Sequence, residues 1–145
     1  NINAQNIGGY FYDEETKTLP VYVTYKKDEE ISETQKYKDR FDGNAQFISM
    51  SKPGRGLAGA NRKNSSPEVE YFYSPETKIY LFLQKDKKET DYYFMGELFI
   101  YGEPEEVYRE ETKDTVLEFR YRFDKPVRED LYDYFTNEDI AIGEE

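Results

Sequence analysis

The sequence contains no cysteine and no histidine. Without cysteine, the chain has no disulfides, no thiolate metal site and no cysteine nucleophile, and it fits a reducing compartment. Without histidine, it lacks the usual general base near neutral pH and the commonest zinc ligand. Ser-His-Asp, Cys-His and His-metal chemistry are therefore excluded for these 145 residues. We expect no catalytic residue, no metal ion and no cofactor here.

Long apolar runs are also missing. No stretch approaches the ~20 apolar residues that a membrane-spanning helix needs. The first ten residues, NINAQNIGGY, have neither a basic region nor an apolar one, so they do not resemble a signal peptide. Because the chain starts at Asn1 and not at a methionine, we expect it to be a piece of a larger protein. Because it has neither a membrane-spanning run nor a signal peptide, we expect a location in the cytoplasm and not in a membrane.

Basic residues are in the minority. The chain has 20 Lys and Arg against 31 Asp and Glu, a net charge of -11, which argues against a surface coated with nucleic-acid contacts. One segment, 43–67, differs because it contains Lys52, Arg55, Arg62 and Lys63 and no acidic residue. This segment is either a solvated flexible loop or a local site for phosphate groups.

Aromatic residues are abundant and indicate the fold class. Fifteen Tyr and ten Phe allow a core to form although hydrophobic residues make up only 37% of the chain. Tyr, Phe, Val and Thr also favour strands. We expect a mainly β or α+β fold, with a curved antiparallel sheet or open barrel and one or two short helices. A single domain, 9–136, is expected between an N-terminal linker, 1–8, and an acidic tail, 137–145.

Residue periodicity places the elements along the chain. Alternation and flanking turn residues predict strands at 10–13, 19–26, 45–51, 69–73, 78–84, 92–101 and 115–123. Ser32 followed by Gln35 resembles a capping box and predicts a short helix or turn through Tyr37. Pro126 is suited to start a second helix that ends near Phe135. The stretches 52–67 and 102–114 are expected to be a long irregular loop and a charged connection.

The glycine-rich loop PGRGLAGANRK is not a nucleotide-binding P-loop, because it lacks the Gly-Lys-Ser or Gly-Lys-Thr ending. Its glycines still allow the backbone to approach a phosphate closely. Lys52, Arg55, Arg62 and Lys63 are therefore the candidate contacts to a DNA backbone or groove. The many acidic residues, in contrast, are interpreted as solvated surface charge and not as a metal-dependent nuclease site.

A base removed from its stack needs aromatic faces and polar groups along its edge. Most aromatic side chains here are expected to belong to the core. Those nearest to polar residues in sequence are Tyr25, Tyr37 and Phe47, beside Asp39 and Ser49, and these five form the candidate base pocket. A carboxylate such as Asp39 would accept a hydrogen bond from the N4 amino group of cytosine.

Several blocks, taken in order, resemble a known family. They are LPVYVTYKKDEEISETQKYKDRF (19–41), AQFISMSK (45–52), EVEYFY and KIYLFLQK (within 68–85), TDYYFMGEL (90–98) and FRYRFDKPVREDLYDYF (119–135). The resemblance is to the C-terminal domain of bacterial multidomain proteins in which a phospholipase D-like nuclease and a superfamily 2 helicase come first. The SauUSI-type methyl-directed (type IV) restriction endonucleases belong to this group.

The resemblance implies an SRA-like, PUA-like curved sheet that binds 5-methylcytosine or 5-hydroxymethylcytosine in double-stranded DNA by flipping the base into an aromatic pocket. It also implies that the nuclease and helicase domains of the parent chain are partners, and that this domain itself neither cuts DNA nor hydrolyses ATP. Three alternatives remain, the first of which is an independent enzyme. The second is a protein-interaction or structural module that docks onto the helicase and nuclease part, and the third is binding of RNA or unmodified DNA.

Overall fold

A computed structural model describes residues 9–26, 39–59, 62–86, 91–110 and 112–136. Within them, six strands form one sheet and two short helices pack near it. In chain order the elements are β1 (Thr18–Lys26), β2 (Arg40–Phe41), β3 (Gln46–Met50), α1 (Glu68–Phe72), β4 (Lys78–Asp86), β5 (Tyr93–Arg109), β6 (Asp114–Phe123) and α2 (Glu129–Thr136). None of the described helices has the length and apolar character needed to cross a membrane.

The sheet is a curled half-barrel with the strand order β1-β4-β5-β6-β3-β2. This confirms the expected mainly β fold with a curved sheet and two short helices. The expectation of a purely antiparallel sheet is wrong for one pair, because β1 and β4 run parallel, with Val21 opposite Leu81. Parallel neighbours require a long crossover, and here β2, β3 and α1 all lie between the two strands in the chain.

The core lies on one face of the sheet, as period-two alternation requires. Leu19, Val21 and Val23 of β1 are at most 4% exposed, and the alternating residues of β4 and β6 join them. On β6, Phe119 and Tyr121 are fully buried, and Phe72 of α1 stacks on Phe119 with ring centroids 4.2 Å apart. Aromatic rings therefore provide much of the buried area, which is why the low aliphatic content suffices.

The strand predicted at 69–73 is wrong, because this segment is helix α1. Pro67 stands at the N-cap with φ −60°, and two acidic side chains, Glu68 and Glu70, follow in the first turn, where they favour a helix. Val69 and Phe72 are three residues apart, so both reach the core side of a helix. The aromatic content of this segment favoured a strand, but helical spacing and the proline decided its structure.

The charged connection predicted at 102–114 is also wrong over most of its length. β5 continues to Arg109 and pairs with β6 from Asp114 onward, with Val107 opposite Val116. The register shifts between Tyr101 and Glu105, next to Gly102, which has a φ of +71° that glycine adopts without strain. This irregularity lets the strand bend and continue although its outer end is rich in glutamate.

The remaining predictions differ in outcome. The strands predicted at 19–26, 45–51, 78–84 and 115–123 are confirmed, as is the helix before Phe135, although α2 begins at Glu129 and not at Pro126. The strand predicted at 10–13 is reduced to isolated bridges from Tyr10 to Val21 and from Asp13 to Thr18. The linker 1–8, the predicted helix near Ser32 to Tyr37 and the tail 137–145 lie outside the described residues.

Candidate nucleic-acid interface

The loop after β3 is held by hydrogen bonds across its own width. The backbone N–H of Gly56 donates to Ser66 Oγ at 3.0 Å, and the N–H of Ser66 donates back to the carbonyl of Gly56 at 2.9 Å. Two further bonds tie the loop to the β5–β6 hairpin, from Gly54 N–H to the Thr115 carbonyl at 2.7 Å and from Leu57 N–H to a Glu106 carboxylate oxygen at 3.1 Å. The described parts of the loop therefore have a defined shape.

Arg62 lies across this loop. Its Nη2 donates to the carbonyl of Gly54 at 3.1 Å, and a Cβ placed on Gly56 would come within 2.7 Å of Arg62 Nε. Gly56 is thus needed for the close approach of the guanidinium. Lys63, in contrast, is exposed. Of these two predicted DNA contacts, Arg62 is half-buried and holds the loop together, while Lys63 projects into solvent.

Arg55 is bound to a buried carboxylate. Its Nε donates to Glu68 Oε2, and the hydroxyl of Tyr10 donates to the same oxygen at 2.7 Å. The Glu68 side chain is only 3% exposed. Burial acts to raise the pKa of the Glu68 carboxyl, but the hydrogen bonds from Arg55 and Tyr10 outweigh it and lower that pKa below its ordinary value. The carboxylate is therefore charged, and it fixes both of its partners.

A cleft of about 780 Å³ opens next to this ion pair. Its volume falls within the range typical of pockets that bind small molecules. It is lined by the following side chains: Tyr10, Phe11, Tyr12, Glu14, Lys52, Pro67, Glu70, Tyr71 and Ser74. The segment before β1, the loop after β3 and α1 thus meet at this cleft.

Aromatic rings form much of the cleft wall. Tyr12 and Tyr71 stack in parallel, with centroids 4.7 Å apart and an interplanar angle of 3°, while Phe11 is 39% exposed. Burial, together with the nearby charge of Glu68, raises the pKa of the Tyr71 hydroxyl to about 12. Burial also raises the pKa of Tyr10 well above its ordinary value. Both phenols are therefore neutral hydrogen-bonding groups at physiological pH.

The charged groups of the cleft are of both signs. The Lys52 ammonium lies 4.8 Å from the centroid of the Tyr10 ring, and the Lys52 backbone N–H donates to the Tyr10 hydroxyl at 3.1 Å. Glu14 and Glu70 are exposed at the cleft. Among the described residues, the lining offers flat ring surfaces, one cation suited to a phosphate, and two carboxylates suited to amino groups.

The aromatic residues predicted for the base pocket lie elsewhere. Phe47 is completely buried and meets Phe41 edge-on at 5.2 Å, while the half-buried Tyr25 packs near Phe41 and Phe135. Burial raises the pKa of the Tyr25 hydroxyl, which accepts a hydrogen bond from the Phe41 N–H at 3.4 Å. Tyr37 lies outside the described residues. The two described rings are thus packing partners within the core cluster.

The two polar residues predicted for that pocket are bonded to neighbouring groups. Asp39 Oδ1 accepts from the Met50 N–H at 2.6 Å, which ties the start of β2 to the end of β3. Ser49 is buried, and its hydroxyl is 2.7 Å from the hydroxyl of Tyr121. The structure therefore brings Tyr25, Asp39, Phe47 and Ser49 to the β2–β3 region, where Phe47 and Ser49 are buried and Tyr25 and Asp39 half-buried, and none of the four lines the cleft.

Sequence reasoning missed Phe11, Tyr12, Tyr71 and Glu70 as site residues. One signal was present, because three consecutive aromatic residues, 10–12, follow Gly8 and Gly9. On a regular strand, alternate residues of such a run would face opposite sides, so some ring must remain accessible. Tyr71 lies in a second run of three consecutive aromatic residues, 71–73, but the strand predicted there assigned it to the core, and its actual position depends on the helix that replaced that strand. No cluster of three or more potential metal ligands occurs among the described residues.

Residues 1–135 match a protein family described as Domain of unknown function (DUF3427). The chain belongs to this family. The match of the DUF3427 domain covers all six strands, the loop after β3 and every residue that lines the cleft. Among curated proteins, none matches the chain.

Proposed function

We propose that this DUF3427 domain binds DNA and holds one unstacked base in the cleft. The observation that carries the proposal is a ring-lined opening of about 780 Å³ with Lys52 at its side. A base outside its stack is bound by stacking on aromatic faces and by hydrogen bonds to its edge. Phe11, Tyr12 and Tyr71 supply the faces, and the curved β fold with its aromatic clusters is compatible with such a role.

The polar groups favour particular bases. Carboxylates only accept hydrogen bonds when ionised, so Glu14 and Glu70 favour bases with an exocyclic amino group, which are cytosine, adenine and guanine but not thymine among the common DNA bases. The resemblance to SauUSI-type C-terminal domains points to cytosine, in its 5-methyl or 5-hydroxymethyl form. A buried methyl group contributes only about 0.8 kcal/mol, a factor of about four in affinity, so strong discrimination requires a tight fit.

The remaining parts of the proposal follow from the same resemblance. The domain acts as the recognition part of a methyl-directed restriction enzyme in the bacterial cytoplasm. The nuclease and helicase domains of the parent chain carry out the cleavage and the ATP hydrolysis. In this account the base pocket is the cleft and not the Tyr25–Phe47 region, because Phe47 is completely buried and Tyr25 packs beside Phe41.

The test compares three DNA duplexes that differ at one cytosine, which is unmodified, 5-methylated or 5-hydroxymethylated. Fluorescence anisotropy is measured for the wild-type domain and for Tyr71→Ala. Loss of one stacking ring costs about 1–3 kcal/mol, so we expect Tyr71→Ala to weaken binding of the preferred duplex by about 5- to 150-fold. The matched control is Tyr108→Ala, which removes a ring that is 55% exposed near the outer end of β5.

Wild-type binding that does not differ among the three duplexes would remove modified cytosine from the proposal. If Tyr71→Ala and Tyr108→Ala bind every duplex with equal affinity, the cleft is not the binding site for the base. The wild-type measurements are made at about 50 mM salt and at about 150 mM salt, which is close to physiological ionic strength. If the folded wild-type domain binds no duplex at either concentration, the proposal of DNA binding fails altogether.

One observation favours the alternative of a protein-interaction module. Tyr22, Phe82 and Phe94 form a chain of ring contacts, at 5.0 and 5.3 Å, on the face of the sheet away from the core. Phe94 is 59% exposed, and exposed aromatic clusters are typical of the centres of protein interfaces. This alternative predicts that Phe94→Ser weakens binding to the nuclease–helicase part of the parent protein, measured by calorimetry, while Tyr108→Ser does not.

A further inference from the structure

A second feature with nucleic-acid chemistry lies on β5 and β6. Two cross-strand pairs stand side by side there, Phe99 opposite Arg122 and Tyr101 opposite Arg120. We call these four residues the arginine–aromatic strip. Phe99 and Tyr101 are 37% and 36% exposed, and Arg122 is exposed as well.

The strip and the cleft are on opposite sides of the sheet. The residues that alternate with the strip on β6, Phe119, Tyr121 and Phe123, all point into the core. Helix α1, which contributes Tyr71 to the cleft, packs on that core side through Phe72. The strip therefore faces away from α1, and a ligand bound there does not occupy the cleft.

The strip itself contains two positive charges, Arg120 and Arg122. Arg122 lies 5.2 Å from the centroid of the Phe99 ring and forms no ion pair with any carboxylate in the described part of the chain. Arg120 and Arg40 both contact Glu118, at 3.1 and 3.5 Å. The Glu118 side chain is only 7% exposed, so one buried carboxylate is shared by two guanidinium groups.

This local excess contrasts with the chain as a whole, whose net charge is -11. Exposed acidic residues limit the strip at both ends: Glu103 and Glu105 follow Tyr101 on β5, with Glu105 opposite Glu118, and Asp124 lies two residues after Arg122. Arg120 and Arg122 on β6, beside two exposed rings on the adjacent strand β5, thus form a small cationic surface, which is the complement of a polyanion with flat groups.

We propose that the arginine–aromatic strip binds single-stranded nucleic acid, with bases stacked on Phe99 and Tyr101 and phosphates bound by Arg120 and Arg122. Rings that project between arginines reach bases only when those bases are unpaired, because in a duplex the base faces are stacked on each other. Arginine binds phosphate through paired N–H groups and also stacks on aromatic faces. The strip is independent of the cleft and does not require the function proposed for it.

The test uses a fluorescein-labelled oligothymidylate of about 15 nucleotides, a length within reach of the ~4–16 nucleotides that small sheet-based modules bind. Anisotropy is measured for the wild type, for Arg122→Gln and for the double variant Phe99→Ala/Tyr101→Ala. Arg122 is chosen because it has no carboxylate partner among the described residues, so its loss leaves no buried charge. The controls are Arg128→Gln, an exposed arginine on the approach to α2, and Tyr108→Ala.

We expect Arg122→Gln to lower the affinity by about 3- to 10-fold and to reduce the salt slope by about 0.7, the value for one phosphate contact on a single strand. The double variant Phe99→Ala/Tyr101→Ala should lower the affinity for oligothymidylate by about 5- to 100-fold. Both controls should bind like the wild type. Thermal unfolding confirms that each variant is folded.

The outcomes separate the strip from the cleft. If Tyr71→Ala abolishes oligothymidylate binding while the strip variants leave it intact, single strands bind in the cleft and the strip proposal fails, although cleft binding stands. If no variant changes the affinity, or if the wild type does not bind, the strip proposal also fails. A strip variant that alters only binding to the nuclease–helicase part would identify a protein contact and overturn it as well.

Discussion

Tyr10 connects the core to the cleft. Its ring is 4% exposed and meets Phe72 edge-on at 5.3 Å, while its hydroxyl donates to Glu68 and accepts from the Lys52 N–H. The same residue therefore takes part in hydrophobic packing, in the buried ion pair and in the wall of the cleft. A change in the Glu68 environment is expected to reach the cleft through this side chain.

At the residue scale, the Arg55–Glu68 pair is expected to stabilise the fold. Removing one partner of a fully buried pair costs about 3–5 kcal/mol, because an uncompensated charge remains. Arg55 is 37% exposed, so we reduce the figure for solvent screening and expect Arg55→Leu to lower the free energy of unfolding by about 2–3 kcal/mol at pH 7. Urea unfolding measures this free energy. The comparison variant is Arg62→Leu, which should cost less because the described hydrogen bond of Arg62 is to a backbone carbonyl and not to a buried carboxylate.

The sign of the pH dependence follows from the lowered pKa of Glu68. A carboxyl with a lowered folded-state pKa stabilises the fold fully above its unfolded value, near 4.5, and loses this contribution as the pH falls through the folded-state pKa. In Arg55→Leu, burial acts without the opposing ion pair, so Glu68 takes up its proton at higher pH. The difference in the free energy of unfolding between the wild type and Arg55→Leu should therefore shrink as the pH falls. A difference that stays constant from about pH 7 to about pH 3 would contradict the ion-pair account.

At the scale of single elements, the most deeply buried ring of α1 is Phe72. Phe72 is 1% exposed and stacks on Phe119, so Phe72→Ala should cost about 3–5 kcal/mol, the usual range for loss of a buried phenylalanine. Glu70→Ala changes an exposed position of the same helix and should cost less than about 0.5 kcal/mol. Chemical unfolding provides both values, and a cost below about 1 kcal/mol for Phe72→Ala would show that α1 is held by other contacts.

The strands with strict alternation, such as β1 and β4, were predictable, because one buried face dictates period two. The parallel pairing of those two strands was not, since alternation carries no information on direction. The outer half of β5 was missed because its glutamates are poor strand formers, and its pairing with β6 depends on the bulge near Gly102. The cleft was missed for a related reason, since Tyr12 and Tyr71 come together only once α1 has formed.

On the scale of the whole molecule, the excess of acidic residues lowers the stability of the folded state. A net charge of -11 destabilises the compact state by self-repulsion, and salt screens it over a Debye length of about 8 Å at 0.15 M. We expect the melting temperature to rise by about 3 °C, or about 1 kcal/mol, between ~20 and ~300 mM NaCl. The double variant Glu103→Gln/Glu105→Gln, at exposed positions of β5, should rise less because part of the repulsion is gone. A fall in melting temperature with salt would contradict this.

Salt should act on DNA binding in the opposite direction, because every phosphate contact releases counterions that added salt opposes. Lys52 is the single cation among the described residues that line the cleft, so its contribution to the salt slope is close to one. We expect Lys52→Gln to weaken binding of modified and unmodified duplexes by the same factor and to reduce the slope by about 1, with Lys125→Gln, an exposed lysine outside the cleft, as control. Since the two salt effects differ in sign, a fall in affinity that accompanies a rise in melting temperature arises from the interface and not from unfolding. An unchanged slope in Lys52→Gln would mean that the cleft does not contact phosphate.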